Sequence, residues 1–186
     1  MKTLGKILIL LLVVTVLIVA AAAWSILRSG YGARRERPSR AEAYLARHAR
    51  HMMTPSSAVE MKNPFPATPQ RLDEGRAHWM EHCAQCHSLD GSGNSELGPN
   101  LYPPAPDMRL AATQDLSDGE LFYIIQNGVM FSGMPGWGGE HNAEETWHLV
   151  QFIRHLPQLT PDELKQMQQA APREDKGNEH HNEHRD

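Results

Sequence analysis

The chain has little cysteine, few aromatic residues and no excess of basic charge. Cysteine occurs twice in 186 residues, at Cys83 and Cys86. This excludes a disulfide-stapled miniprotein and a zinc or iron–sulfur site made of four thiolates. The formal net charge of -4 argues against a nucleic-acid-binding domain, since such domains carry a basic excess.

Apolar residues are concentrated near the N-terminus, where Ile7 to Leu27 form 21 consecutive residues without a charge. As a helix this run is about 32 Å long, enough to cross a hydrocarbon core of roughly 30 Å. Ala21 and Ala23 fit a signal-peptide cleavage site, which is one interpretation. We favour a retained membrane anchor over residues 1–27, because the run exceeds a usual signal-peptide core and Trp24 suits a membrane interface.

The region after this anchor has a basic part followed by a proline-rich part. Residues 28–50 carry +5, and a capping box of Ser39 and Glu42 predicts a helix over Arg40–Met53. This helix is either a linker or a basic helix lying on anionic headgroups. Four prolines in residues 54–70 predict an extended tether that could reach roughly 50 Å. We therefore expect a basic helix and a Pro-rich linker over residues 28–70.

Residues 71–157 are expected to form an all-α domain, because no segment shows the alternation of a strand. A first helix is predicted over Arg71–His82. Further helices should begin after Ser117, Asn142 and Thr160, each followed three residues later by a glutamate. Residues 158–186 are predicted to be a short helix followed by a disordered, His-rich tail.

The sequence Cys83-Ala84-Gln85-Cys86-His87 is the attachment motif of a c-type haem. Two thiols add across the vinyl groups of haem, and the adjacent imidazole is thereby held under the iron as its proximal ligand. A covalent haem also supplies core volume that a small domain lacks. A thioredoxin-like thiol pair needs a βαβ context that is missing here. A zinc site would need two more ligands, for which His78 and His82 are candidates.

The second axial ligand has to come from elsewhere in the sequence. Met134 is the strongest candidate, because glycine and proline on either side of it fix a loop that can hold one side chain in place. Met108 lies in a Pro-rich loop and is the weaker rival, whereas Met130 is expected in the core. A thioether ligand favours ferrous iron and raises the reduction potential.

These motifs resemble those of class I cytochromes c, the small monohaem bacterial type. Gly75 and Trp79 match the family's spacing before the first cysteine, and Phe152 matches the aromatic residue where the last helix crosses the first. The resemblance implies that the carbonyl of Pro99 accepts a hydrogen bond from the proximal His87. It also implies Met134 as the distal ligand.

The expected fold is therefore all-α, with helices and loops around one covalent haem c, preceded by a single transmembrane helix. Trp137 is expected either to line the edge of the haem or to pack in the core. In this family the haem is attached on the periplasmic side of the inner membrane. This placement overrides the arginines after the anchor, which by the positive-inside rule would put the C-terminus in the cytoplasm.

An iron with both axial positions filled offers no place for a substrate, so the expected function is single-electron transfer rather than catalysis. The domain carries -8 over residues 71–156 and should dock on basic patches of redox partners. The alternatives are a haem subunit of a larger oxidoreductase and a haem enzyme or gas sensor with a labile sixth ligand. His148 and His155 are expected at the surface, and His180, His181 and His184 in a solvated tail.

Overall fold

The computed structural model describes residues 2–28 and 37–171. The arginine-rich loop expected after the anchor lies mostly outside these ranges. The tail from residue 172 onwards, with His180, His181 and His184, lies outside them as well.

Helix α1 spans Lys2–Arg28 and is long and apolar enough to cross a membrane. Its apolar side chains are exposed, as expected of a helix that meets lipid rather than a protein core. Near its end, the guanidinium of Arg28 lies 4.7 Å from the centre of the Trp24 ring. A tryptophan and an arginine in contact at this position suit the boundary between hydrocarbon and headgroups.

Helix α2 spans Arg40–Met53 and begins at Ser39, whose side chain accepts a hydrogen bond from the backbone of Glu42. The helix predicted at this position is thus confirmed. Its last turn contacts the rest of the fold, since His51 Nδ1 lies 3.0 Å from Glu120 Oε1.

The extended tether expected for residues 54–70 is wrong for the first part of that segment. Helix α3 spans Ser56–Val59, and the buried Ala58 packs against Gly119. The side chain of Asn63 donates to the carbonyl of Trp147 at 3.0 Å. The prolines therefore shape a segment that is held against the helical domain.

The central elements of the domain follow in chain order. Helix α4 (Pro69–His78) continues through a π-helical turn (Trp79–Cys83) into α5 (Ala84–His87). Helices α6 (Ala111–Gln114), α7 (Asp118–Asn127), α8 (Ala143–His155) and α9 (Pro161–Ala170) complete the sequence of α-helices. Within residues 2–28 and 37–171 there is no β-strand, which agrees with the predicted all-α class.

The predicted helix starts after Ser117, Asn142 and Thr160 are confirmed. Each residue forms a complete capping box with the glutamate three positions on. Reciprocal side-chain and backbone hydrogen bonds satisfy amide groups that the first turn of a helix leaves free. The polar residues at these positions therefore define where α7, α8 and α9 begin.

Helices α4 and α8 cross at Gly75, as the family resemblance implied. A Cβ atom on Gly75 would lie 2.2 Å from the carbonyl oxygen of His148 and 3.1 Å from Cβ of Phe152. Both residues lie on the same face of α8, one turn apart. The crossing can be this close only because position 75 has no side chain.

The core lies between α4, α7 and α8. Its fully buried side chains come mainly from the last of these helices and from the residues after it, and they include Trp79, Val150, Phe152, Ile153, Leu156 and Met167. Arg154 connects this layer to α7, since its Nε lies 2.9 Å from Asp118 Oδ1.

Replacing Gly75 with alanine should destabilise the domain by about 2–3 kcal/mol, because the added methyl group meets backbone that cannot rotate away. The measurement is urea unfolding of the full chain in detergent, followed by circular dichroism.

Gly139→Ala is the matched control, since a Cβ atom there meets no other atom within 4 Å. Equal unfolding midpoints for the two variants would contradict the close crossing of α4 and α8.

Candidate functional site

The CxxCH segment, residues 83–87, follows directly from the first helix of the domain. The π-helical turn Trp79–Cys83 widens the helix just before it, and α5 then carries Ala84 to His87. Such widened turns are often found at functional sites. The segment ends at Ser88, whose positive φ of 66° breaks the helix. Both cysteines and the histidine are therefore presented within one short helical unit.

Trp79 packs against this segment from the interior of the domain. Its side chain is 1% exposed, and the centre of its ring lies 5.8 Å from that of His87 and 5.8 Å from that of Phe152. Its indole Nε1 donates a hydrogen bond to the carbonyl of Ser88 at 3.2 Å. The tryptophan thus fixes both the histidine ring and the backbone that follows it.

The loop after the segment returns to it in direct backbone contact. The amide of Gly93 donates to the carbonyl of His87 at 2.8 Å. A Cβ atom on Gly98 would lie 2.3 Å from the carbonyl oxygen of Cys86, which also accepts a hydrogen bond from Ser95 Oγ at 3.0 Å. Glycine is therefore required at position 98 for this approach.

The two thiols are unpaired and partly buried. Burial, together with the nearby Cys86, raises the pKa of Cys83 to about 12. Redox-active CxxC pairs have lowered thiol pKa values, because a thiolate is their nucleophile. The environment of Cys83 therefore argues against a thiol–disulfide exchange site.

The imidazole of His87 has a buried Nδ1 atom with no hydrogen-bond partner among the described residues. Burial lowers the pKa of His87, and the nearby carbonyl of Pro106 opposes this only in part. A neutral imidazole is the form that binds a metal.

The hydrogen bond expected from His87 to Pro99 is not among those present, and it stays a prediction. Pro99 itself lies in a single turn, Gly98–Asn100, directly after the contact with Cys86.

Met134 lies in a loop that is held by hydrogen bonds within the loop and by a contact with Leu101, two residues after Pro99. Its amide donates a hydrogen bond to Ser132 Oγ at 3.1 Å, and its carbonyl accepts one from the amide of Val129 at 3.1 Å. A Cβ atom on Gly133 would lie 2.9 Å from Cδ2 of Leu101. Met134 is partly buried against the same core that Cys83 contacts.

The two rival methionines differ in exposure. Met108 is 8% exposed and belongs to the hydrophobic core. The expectation that Met130 lies in the core is wrong, since it is 70% exposed. Helix α7 ends at Asn127 and is capped by Gly128, whose φ is 73°, so Met130 lies in the loop beyond the helix.

Trp137 is partly buried and packs against the core. Its amide donates to the carbonyl of Ile125 at 2.9 Å, which fixes the loop after Met134 to the end of α7. Its ring centre lies 5.1 Å from that of His82, the residue before Cys83. The tryptophan therefore links the loop of Met134 to the residue beside the first thiol.

One histidine expected at the surface lies in the interior. His148 is 4% exposed, and its Nδ1 lies 2.9 Å from Glu74 Oε2 on α4. The ring also lies edge-on to Phe65 at 5.6 Å. The spacing of four residues between His148 and Phe152 was the signal for this position, because it places both on the face that meets α4. His155 is partly buried and lies 2.8 Å from Glu163.

Comparison with known families gives a match over the same region. Residues 70–153 match the family described as cytochrome c oxidase, cbb3-type, subunit III. No curated protein shows significant sequence similarity to the chain.

Among solved structures, a chain of the Kuenenia stuttgartiensis reducing HAO-like protein complex is similar at 18% identity, with a TM-score of 0.45. The similarity covers 52% of this chain and 49% of that one, so the chain spans about half the length of this relative.

The residues of the site fit the covalent haem that this family implies. The chain has only two thiols, both unpaired and two residues apart, and a partly buried imidazole follows them directly. The backbone beside Cys86 leaves no room for a side chain at Gly98. The chain therefore carries, over residues 70–153, one class I c-type cytochrome domain with a covalently bound haem c, and the role of such a domain is electron transfer.

Proposed function

We propose that this protein is a membrane-tethered monohaem cytochrome that passes single electrons between redox proteins on the periplasmic side of a bacterial inner membrane. The observation that supports it most is the packing of Cys83, Met134 and Trp137 against one common core. Residues that are 51 positions apart in sequence thus pack against the same core, which supports assigning them to one site.

Each residue has a role in this proposal. Cys83 and Cys86 form the thioether bonds, His87 is the proximal ligand and Met134 is the distal one. When bound, the haem supplies an iron that gains and loses one electron. Trp79 and the loop at Gly98 hold the imidazole and its backbone in place. Pro99 orients the imidazole, and Trp137 shields the site from solvent.

A membrane position is supported by α1, which is long and apolar enough to span a bilayer. The periplasmic placement of the domain rests on the side of the membrane where class I haem is attached. An anchored domain meets membrane-bound partners at a raised local concentration.

The surface charge supports partners with basic docking patches. Of the twelve carboxylates in residues 71–156, six are exposed, namely Asp73, Glu81, Glu96, Asp115, Glu140 and Glu144. None of the four arginines in that range is fully exposed, and three of them pair with carboxylates. The domain therefore presents a negative surface to an approaching protein.

The second candidate function is that of a haem subunit in a larger oxidoreductase. The matched family, described as a subunit of an oxidase, favours it. In that assembly the residues above keep their roles, and the electron acceptor is a permanent neighbour instead of a passing one.

Met134→Leu should lower the reduction potential by on the order of 0.1 V, a fraction of the roughly 0.8 V that axial ligands span. Leucine conserves volume but offers no thioether to the iron. Protein-film voltammetry of the full chain measures the shift. The ferrous wild type should not change its absorption with carbon monoxide, whereas the variant should.

The matched controls are Met130→Leu, at an exposed position, and Met108→Leu, at a buried one. Both should keep the wild-type potential. A shift in Met108→Leu with none in Met134→Leu would assign the thioether to Met108. A carbon monoxide response in the wild type would favour the gas-sensor alternative.

Oxidation by a cationic cobalt ammine complex should slow as salt is added, and oxidation by anionic ferricyanide should accelerate. The reason is that salt screens the attraction between the acidic domain and a cation and the repulsion of an anion. Stopped-flow absorbance at the haem bands measures both rates.

Replacing Glu81, Glu96 and Glu140 together with glutamine should reduce both salt dependences. The matched control replaces Asp73, Asp115 and Glu144 with their amides, which removes the same charge elsewhere on the domain. Equal salt dependences in the wild type and both triple variants would argue against electrostatic docking.

Co-purification separates the two candidate functions. A free carrier should elute from a mild detergent extract as a single haem-staining chain, because its encounters are short-lived. A subunit should elute with other chains in a fixed ratio that survives high salt, since permanent interfaces are large and apolar.

A further inference from the structure

Three histidines that the electron-transfer site does not use lie together beside it. His78 ends α4, His82 lies in the π-helical turn and His141 lies just before α8. One ligating atom from each of them lies within 4.8 Å of the others. The ring centres of His78 and His82 lie 5.1 Å and 4.7 Å from that of His141.

The side chains of this triad, His78, His82 and His141, are partly buried and do not lie on an open surface. Their side chains are 24%, 27% and 12% exposed, respectively. Nδ1 of His78 is buried and has no hydrogen-bond partner among the described residues. An unpaired buried nitrogen is costly, and a bound cation would satisfy it.

The carboxylate of Glu145 lies close to two of the three histidine rings. Oxygens of Glu145 lie 3.9 Å from Nε2 of His78 and 3.8 Å from Nδ1 of His141. Glu145 is itself held in place by the amide of Asn142 at 3.0 Å. Metal-bound histidines usually place their second nitrogen near a carboxylate, which orients the ring and strengthens it as a ligand.

The ring of Trp137 forms an apolar surface beside two of the histidines. The centre of the Trp137 ring lies 5.1 Å from that of His82 and 5.2 Å from that of His141. An ion about 2.0–2.1 Å from each nitrogen would draw the three atoms to about 3.4 Å of one another.

We propose that His78, His82 and His141 bind a divalent late first-row transition-metal ion, Zn²⁺ or Cu²⁺. Three neutral imidazoles without a thiolate suit these two ions, which also lie at the high-affinity end of the divalent series. The fourth position is left for water or an outside ligand. The ion would join the helix that leads into Cys83 to the loop that follows Met134.

The test uses the full haem-loaded chain in detergent, with His180, His181 and His184 replaced by alanine so that the tail cannot bind. Titration calorimetry with Zn²⁺ should show one saturable site per chain. Zn²⁺ should also raise the unfolding temperature, since an ion that binds only the folded state stabilises it. Cu²⁺ should compete for the same site.

His141→Ala in this background should weaken Zn²⁺ binding by about 100-fold or more, beyond the range seen for outer-sphere partners. Glu145→Gln should weaken it by roughly 10- to 100-fold. Glutamine can replace glutamate in a capping box, so the second variant keeps the start of α8. An unchanged haem spectrum and circular dichroism check the fold of each variant.

His48→Ala is the matched control, because His48 is exposed on α2 and contacts Tyr44 instead of the triad. It should leave the affinity for Zn²⁺ unchanged. Absence of a saturable site in the tail-free protein would overturn the proposal. Equal Zn²⁺ affinities in His141→Ala and His48→Ala would do so as well.

Discussion

Close backbone packing around the CxxCH segment is the constraint on which the rest of the structure depends. On one side, α8 approaches α4 at Gly75, where a methyl group would lie 2.2 Å from a carbonyl oxygen. On the other, the returning loop approaches the carbonyl of Cys86 at Gly98. At both glycines main chain meets main chain, which holds the helix before the CxxCH segment and the loop after it. A small domain with few large apolar residues can therefore still hold its site rigidly.

Rigidity matters for the proposed function, in which the site changes charge without changing ligands. Trp79 contacts both His87 and Phe152, so movement of the imidazole would disturb the centre of the core. The loop of Met134 is fixed by contacts to Ser132 and Leu101. A framework that does not relax between oxidation states keeps the reorganisation that accompanies each electron small.

Features encoded by adjacent residues could be predicted from the sequence, and those that depend on distant contacts could not. The starts of α7, α8 and α9 follow from local capping boxes, and the CxxCH segment is contiguous. The packing of Ala58 against Gly119 depends on a contact 61 residues away, so proline content alone gave the wrong conformation. The sequence does not place His141 beside His82, because only the fold brings them together. The ligand role of Met134 stays a prediction.

The segment before α4 makes the packed unit larger than the region of the family match. The family match begins at residue 70, but Asn63 donates to Trp147 and Gln151 donates to the carbonyl of Phe65. A fragment trimmed to residues 70–153 would lose these bonds and uncover one side of α8. The family match and the packed unit therefore have different N-terminal edges, and a fragment made for crystallography or electrochemistry should start before Thr54.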